Sequence, residues 1–252
     1  MTGFDTLAGL SLLLVRPGML VVGTPFLGAV YAPPQARVGL TILLALVLAP
    51  FVHLPATLTG GSLGLVVLRE MAIGLALALA IRAVVFGAEF AGHFCGYQVG
   101  LSMGSMLDPQ SGVRNDILVV LYSSLASVIC FMTNAHHLLL RALADSYTAL
   151  PIGLGGVSGS LVTSVSHLLG LVFVMGVRLA LPVIIVLLLV ELALGLVARV
   201  APSLNVLVAG APVRVIVGLL VIAATLAALP ALVARYMPDA FSLAAELAQG
   251  FR

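Results

Sequence analysis

The sequence AGHFCGYQVGLSMG, residues 91–104, places a glycine at every fourth position: Gly92, Gly96, Gly100 and Gly104. A glycine inside a helix costs roughly 1 kcal/mol relative to alanine, so a water-exposed helix gains nothing from four of them in register. In a membrane, small residues four positions apart let two helix backbones approach closely. The spacing therefore predicts that these glycines form a packing seam against another helix. The seam would fix the position of the polar turn that follows it.

The composition of the whole chain indicates a membrane protein. Hydrophobic residues make up 62% of the 252 positions and charged residues only 8%, against about 25% charged residues in a soluble domain. The mean hydropathy is +1.26. Such a chain has too little polar surface to face water, so lipid or other subunits must cover it. The basic residues form no tract, which argues against nucleic-acid binding.

Apolar stretches account for most of the chain, and the shorter ones approach the roughly 20 residues that cross a bilayer. They cover approximately residues 7–31, 38–58, 63–107, 117–144, 161–200 and 204–234. Proline, glycine and serine, which favour turns, mark the connections between them. No connection is long enough for a soluble domain. The pattern predicts an all-α, polytopic membrane protein of long helices and helical hairpins, with residues 1–252 forming one domain.

Charged residues and helix-breaking prolines interrupt several stretches near their middles, where a charge in lipid costs at least about 2.5 kcal/mol. Much of this surface is therefore expected to be buried against protein. The candidates for charges that pair between subunits are Arg69, Glu70, Arg82, Glu89, Arg178 and Glu191. Arg69 and Glu70 diverge by about 100° on a helix, so we expect them to have separate partners. A proton relay is the alternative role, and Glu191 is the strongest single candidate for an inter-subunit pair.

The residues that usually carry catalysis or bind metals are not arranged for either role. Cys95 and Cys130 lie in separate apolar segments without Cys-x-x-Cys spacing, which indicates small buried thiols. His136 and His137 are adjacent, so they cannot chelate one metal from a regular helix as residues four apart can. We expect them to hydrogen-bond to backbone or partner groups. The sequence contains no Walker loop, Rossmann fingerprint or nucleophile elbow, so we expect no enzymatic activity, metal or cofactor.

A series of short motifs runs in order along nearly the whole chain. The N-terminal ones are RPG at 16–18, TPF at 24–26, APPQARVGL at 32–40 and LAP at 48–50. The middle ones are RE at 69–70, IGL at 73–75, AG at 91–92, QVGLS at 98–102, DPQSG at 108–112, FMTNAHHLLL at 131–140, DSY at 145–147 and LPIG at 150–153. The C-terminal ones are RLALP at 178–182 and ARVAPSLN at 198–205. Together they resemble the FliR family of flagellar type III export-gate proteins, whose virulence-system relatives are called SctT.

The resemblance implies a subunit of a membrane export gate rather than a protein that acts alone. Members of this family assemble with FliP-like and FliQ-like subunits into a helical channel, and a FlhB-like subunit is a further expected partner. Unfolded flagellar proteins would pass through that channel. The implied location is the bacterial cytoplasmic (inner) membrane, within the flagellar basal body.

The loop that follows the glycine row has two interpretations. By the resemblance, residues 104–116 project into the pore as a plug, whereas the residues alone are also typical of an ordinary surface turn. Flexible methionines beside the loop favour a seal that repacks around different polypeptides. The predicted plug residues are Met103, Gly104, Met106, Leu107, Asp108, Pro109, Gln110, Ser111 and Gly112.

Three other functions compete with a flagellar gate subunit. The first is a self-contained small-molecule transporter, which would show two matched halves with broken helices in equivalent positions. The glycine row has no counterpart in the second half of the chain. The second is the virulence-type SctT protein of the same gate, against which the paired His136 and His137 favour the flagellar branch. The third is an intramembrane enzyme, for which the sequence offers no plausible catalytic set.

Overall fold

The protein was analysed as a computed structural model that describes residues 3–25, 33–52, 63–101, 117–152, 159–201 and 206–251. Within these ranges the chain forms eight α-helices and no strand, which confirms the predicted all-α class. The helices are α1 (Gly3–Gly23), α2 (Pro34–Leu48), α3 (Leu63–Val99), α4 (Ile117–Met132), α5 (Ala135–Ala149), α6 (Ser160–Val200), α7 (Val206–Leu226) and α8 (Leu229–Gln249). A short 3-10 turn, Ala49–Phe51, follows α2.

Prolines that the sequence marks as breakers lie inside continuous helices. Pro17 lies within α1, Pro182 within α6 and Pro212 within α7. A proline removes one backbone hydrogen bond, but apolar helices tolerate it because neighbouring groups satisfy the freed carbonyl. The 41-residue α6 is accordingly one continuous helix.

Two residues with positive φ end helices inside apolar stretches. Gly100 has φ of 90°, and its N–H donates to the carbonyl oxygens of Gly96 and Tyr97, both at 3.1 Å. These bonds end α3 at Val99. Asn134 has φ of 58° and separates α4 from α5, so the apolar stretch 117–144 is two helices.

The chain divides into two compact units. The first comprises Met1–Ala83, Cys130–Gly170 and Met237–Arg252, and the second comprises Val84–Ile129 and Leu171–Tyr236. Each unit is assembled from segments that are distant in sequence. The prediction that residues 1–252 act as one domain stays a prediction.

Helices of the described chain are long and apolar enough to cross a membrane. By length and composition three qualify singly, namely Pro34–Phe51, Leu63–Val99 and Leu161–Val200, and two bent helix pairs would raise the number to five. The two longest differ sharply in environment. The most apolar window of α3 is 67% buried, whereas that of α6 is 17% buried. Helix α3 is therefore a core helix, and α6 presents most of its apolar surface outward.

Candidate functional site

Two charged side chains of the first unit, Arg16 and Glu70, are completely buried. The Arg16 side chain forms an ion pair with Glu70 of α3. The Nη2 atom lies 2.7 Å from Oε2 of Glu70, and Nε donates to the same oxygen at 2.8 Å. Two N–H groups of one guanidinium thus converge on one carboxylate oxygen.

The remaining donors of Arg16 bind α5 and the residue after it. Nη1 donates to Oγ of Ser146 at 2.9 Å, and Nη2 donates to the carbonyl oxygen of Leu150 at 3.0 Å. The ring of Tyr147 lies 4.2 Å from the guanidinium carbon, a distance typical of a cation–π contact. The Tyr147 hydroxyl donates back to the carbonyl oxygen of Leu13 in α1, at 3.3 Å. We call Arg16, Glu70, Ser146, Tyr147 and Leu150 the Arg16 cluster.

The Arg16 cluster joins three helices that are far apart in sequence. A buried ion pair is costly to desolvate, and it is tolerated where hydrogen bonds satisfy its remaining groups. Four partners do this for Arg16, but Oε1 of Glu70 is buried without a hydrogen-bond partner among the described residues. Removal of either charge would leave the other buried and unpaired, so the cluster couples the positions of α1, α3 and α5.

A glycine on α3, Gly74, allows α1 to cross α3 at close distance next to the Arg16–Glu70 pair. A Cβ atom added to Gly74 would collide with the backbone carbonyl oxygen of Arg16 and lie 3.0 Å from Cβ of Met19. Only glycine fits this approach, because the obstacle is backbone and cannot move aside. Gly74 and the Arg16 ion pair therefore depend on the same close crossing of α1 and α3.

Arg69 has partners different from those of its neighbour Glu70, as the 100° divergence predicts. Its Nε donates to the carbonyl oxygen of Phe251 at 2.8 Å, and Nη1 lies 3.4 Å from that of Pro151. Arg69 thus ties the end of α8 to α3, while Arg16 and Arg69 hold the consecutive carbonyls of Leu150 and Pro151. Both candidate inter-subunit charges at 69–70 have partners within the chain, and an additional role between subunits stays a prediction.

The other predicted charges lie on α3 and α6. Glu191 pairs with Arg214 of α7 at 3.0 Å, and both side chains are about 40% exposed. Arg178 is exposed, and its guanidinium carbon lies 5.8 Å from the ring centre of Tyr236. Arg82 and Glu89 are half-buried on α3. Their predicted contacts with other subunits remain untested.

The three glycines of the predicted seam that the structure describes have different environments. A Cβ atom at Gly92 would lie 2.8 Å from Cα of Val119 and 2.9 Å from the carbonyl oxygen of Leu118, so α3 and α4 touch backbone to backbone there. Gly96 is buried, whereas Gly100 ends the helix with open space beside it. Gly104 lies outside the described residues. The seam stays a prediction, supported at Gly92.

Neither thiols nor histidines form a reactive centre in the described chain. Cys95 and Cys130 are free and buried, and Sγ of Cys95 lies 3.9 Å from the Tyr122 hydroxyl. The ring centres of His136 and His137 lie 4.2 Å apart, with the ring planes tilted by 40°. Nδ1 of His136 is buried without a hydrogen-bond partner among the described residues, so the expected hydrogen bonds of these histidines to backbone or partner groups stay a prediction. No group of three metal-binding side chains occurs among the described residues.

Comparison with known proteins places the chain in a family. A family model described as bacterial export proteins, family 1, matches residues 7–240. The flagellar biosynthetic protein FliR of Escherichia coli (strain K12) is 30% identical over 238 residues, which is 93% of this chain and 90% of that protein.

The chain belongs to the FliR family.

Two further FliR proteins are similar to the chain at the same level. That of Caulobacter vibrioides is 30% identical over 221 residues, covering 86% of this chain and 87% of that protein. That of Pectobacterium carotovorum is 30% identical over 215 residues, covering 84% and 82%. The chain is thus an export-gate protein of flagellar biosynthesis, and its apolar helices fit a membrane location. Proteins of the FliR family are structural components of the flagellar export apparatus.

Sequence reasoning did not identify the Arg16 cluster, and the structure describes only some of the predicted site residues. All the predicted plug residues, from Met103 to Gly112, lie outside the described residues. Arg16 was visible as a charge inside an apolar stretch, but its partners lie 54 and 130 residues away. Spacing along one helix cannot reveal such a pairing. A charge of opposite sign in another apolar stretch, Glu70, was the available signal.

Proposed function

We propose that the chain is a structural, pore-forming subunit of the flagellar type III protein-export gate in the bacterial cytoplasmic membrane. It assembles with FliP-like and FliQ-like subunits, next to a FlhB-like subunit, in the flagellar basal body. Unfolded flagellar proteins pass through the resulting channel. The chain carries out no chemical reaction and holds no cofactor, and energy for transport comes from other components.

The outward apolar face of α6, together with membership of the FliR family, carries this proposal. Leu188, Leu192 and Leu196 of α6 are each more than half exposed. Glu191 lies among these leucines along α6 and forms a half-exposed ion pair with Arg214 of α7, to which lipid tails offer no hydrogen bonds. Neighbouring protein subunits can cover the exposed leucines and also provide hydrogen bonds to the ion pair, because one protein interface supplies both apolar and polar groups.

The loop at residues 104–116 is proposed as the plug of this channel. Gly92 supports its placement, because close packing of α3 on α4 holds the two helices from which the loop starts and to which it returns. Met103, Met106 and Leu107 form the apolar seal. Asp108 and Pro109 set the entry angle of the loop, and Gly112 supplies its turn.

Co-purification tests the proposed assembly. The chain, carrying an affinity tag, is produced together with the FliP-like and FliQ-like proteins of the same cell and extracted in mild detergent. We expect one stable complex that contains all three proteins. Recovery of a monodisperse chain that transports a small molecule by itself would instead establish the transporter alternative.

A further inference from the structure

Helix α2 exposes a wide apolar face for which the proposed function gives no partner. The helix packs on α1, and among its residues only Ala45 is buried. The exposed residues between positions 38 and 47 are Val38, Gly39, Ile42, Leu43, Leu46 and Val47. At about 100° per residue they form a continuous arc of about 180°, which is half of the helix circumference. We call these residues the α2 outer face.

The α2 outer face offers a neighbour no polar side chain. The sequence from Val38 to Phe51 contains no charged residue, and Thr41 has its one polar side chain. Thr41 lies on the side of α1, with its methyl carbon 3.5 Å from the Cβ position of Gly18. Its hydroxyl donates to the carbonyl oxygen of Arg37 at 2.9 Å. The polar side-chain group of this stretch is therefore satisfied within the helix, as contact with hydrocarbon requires.

The length of this segment matches the bilayer. Pro34–Phe51 has 18 residues, is long and apolar enough to cross a membrane by itself, and is only 11% buried. At 1.5 Å per residue it is about 27 Å long, against roughly 30 Å of bilayer hydrocarbon. Gln35 and Arg37 lie in the first turn of α2. Polar side chains at the end of an apolar helix are typical of the level of the lipid headgroups.

Helix faces that are buried against protein in this chain have a different composition. The alanines of α3 that are at most 4% exposed are Ala76, Ala78, Ala80, Ala83, Ala88 and Ala91. Small residues let helices in a membrane approach closely, so they are typical of helix–helix contacts. The α2 outer face has one small residue, Gly39, and nothing lies within 4 Å of its Cβ position. Its other residues are branched aliphatic side chains, which are about as apolar as lipid tails.

The exposed surface of α6 has the composition expected where other subunits cover a helix. Its exposed residues beyond Leu188 include Glu191, Ala193, Gly195 and Arg199. The charged groups need polar partners, and the small residues permit close approach of another helix. The α2 outer face has no charged residue. The two exposed faces therefore suit different neighbours, which are protein at α6 and lipid at α2.

We propose that the α2 outer face contacts the hydrocarbon tails of membrane lipids in the assembled gate, and that no partner subunit covers it. Helix α2 then lies at the lipid-facing edge of the assembly. The proposal rests on the membrane location within the proposed function, but it depends on neither the pore nor the plug.

Spin labels on two equally exposed leucines test the proposal. Leu43 of the α2 outer face and Leu188 of α6 are each 56% exposed in the chain. Leu43→Cys and Leu188→Cys are labelled singly with a nitroxide and measured in the complete complex, in vesicles of phosphatidylcholine and phosphatidylglycerol. Molecular oxygen is apolar and concentrates in hydrocarbon, whereas a water-soluble nickel chelate is excluded from it. Collision of the label with these two agents therefore distinguishes lipid, water and protein surroundings.

We expect the label at position 43 to collide with oxygen several-fold more often than the label at position 188, and rarely with the nickel chelate. The label at position 188 should be shielded from both agents, because partner subunits cover it. Leu46→Cys, at another position of the α2 outer face, should repeat the result even if a label at position 43 disturbs assembly. Cys95 and Cys130 are buried and should label poorly. The complex without an introduced cysteine gives the background.

The two labels on α2 can also contradict the proposal. Shielding of both from oxygen and from the nickel chelate would show that a partner subunit covers α2. Frequent collision of both with the nickel chelate would show that this face lies in water, and either result would overturn the lipid contact. High oxygen access at position 188 as well as at position 43 would support lipid contact of α2 and contradict the proposed cover of α6. Failure of this proposal and failure of the proposed assembly are thus distinguishable.

Discussion

At the scale of single residues, the buried Arg16–Glu70 pair makes the strongest prediction about stability. Arg16→Met leaves the Glu70 carboxylate buried without its partner, and breaking a buried pair in this way costs about 3–5 kcal/mol. We expect a correspondingly lower unfolding temperature of the purified complex. The double variant Arg16→Met/Glu70→Leu should recover most of the loss, because it removes both charges.

The exposed Arg235 provides the control for this comparison of single and double variants. Arg235→Met removes the same charge from the surface and should change the free energy of unfolding by no more than about 0.5 kcal/mol. If the effects of the Arg16 and Glu70 substitutions simply add, the two side chains are not coupled in the native protein.

Gly92 makes a second prediction at this scale. Gly92→Ala places a methyl group against the backbone of Val119, which cannot move without separating α3 from α4. We expect loss of co-purifying subunits, because holding α3 and α4 apart removes the close helix packing on which assembly is predicted to depend. Gly170→Ala on α6 is the control, because nothing lies within 4 Å of that position. It should be neutral or stabilise by up to about 1 kcal/mol. Normal assembly of Gly92→Ala would argue against the seam.

At the scale of the structural element, the loop after α3 carries the sharpest functional prediction. Deletion of residues 109–113 should permit assembly, because the loop lies off the predicted packing seam, yet leave a channel that passes ions. Conductance or dye uptake in cells that make the deleted gate measures this. An equally long deletion at residues 154–158, in another predicted connection, should cause no leak. An assembled, ion-tight and export-competent deletion variant would rule out the plug.

The sequence predicted where the helices lie better than it predicted which helices pack against each other. Apolar runs and turn residues located the helices, because both signals are local. The prolines of α1, α6 and α7 do not end their helices, since a helix buried in lipid or protein can tolerate the lost hydrogen bond. Gly100 and Asn134 mark the ends of α3 and α4 through a backbone conformation that composition does not report.

The Arg16 cluster could not be predicted from the sequence, because it depends on packing between helices that are far apart along the chain. Arg16 finds its partners on α3 and α5 only once these helices have docked. The predicted glycine row, in contrast, is a local pattern, and Gly92 does lie against another helix. Patterns within one element are thus read from the sequence, whereas pairings between elements require the fold.

At the scale of the whole molecule, we predict that the chain is short-lived unless its partners cover it. The apolar helix α6 exposes most of its most apolar window, and Glu191 and Arg214 need polar neighbours that lipid does not provide. Produced alone in cells, the chain should be degraded or aggregate rapidly. Production with FliP-like and FliQ-like subunits should prolong its lifetime several-fold, as measured by pulse–chase. A long-lived, monodisperse lone chain would contradict this.

Variants of two adjacent leucines distinguish the protection that partner subunits give from the stability of the folded chain itself. Leu187 is fully buried within the second unit, whereas Leu188 is 56% exposed. Leu187→Gln places an unpaired amide in the core and should shorten the lifetime with or without partners. Leu188→Gln should leave the lifetime of the lone chain unchanged and reduce only the protection that partners give, because its side chain gains contacts only on assembly. If Leu188→Gln behaved like wild type in the presence of partners, no partner subunit would cover this face of α6.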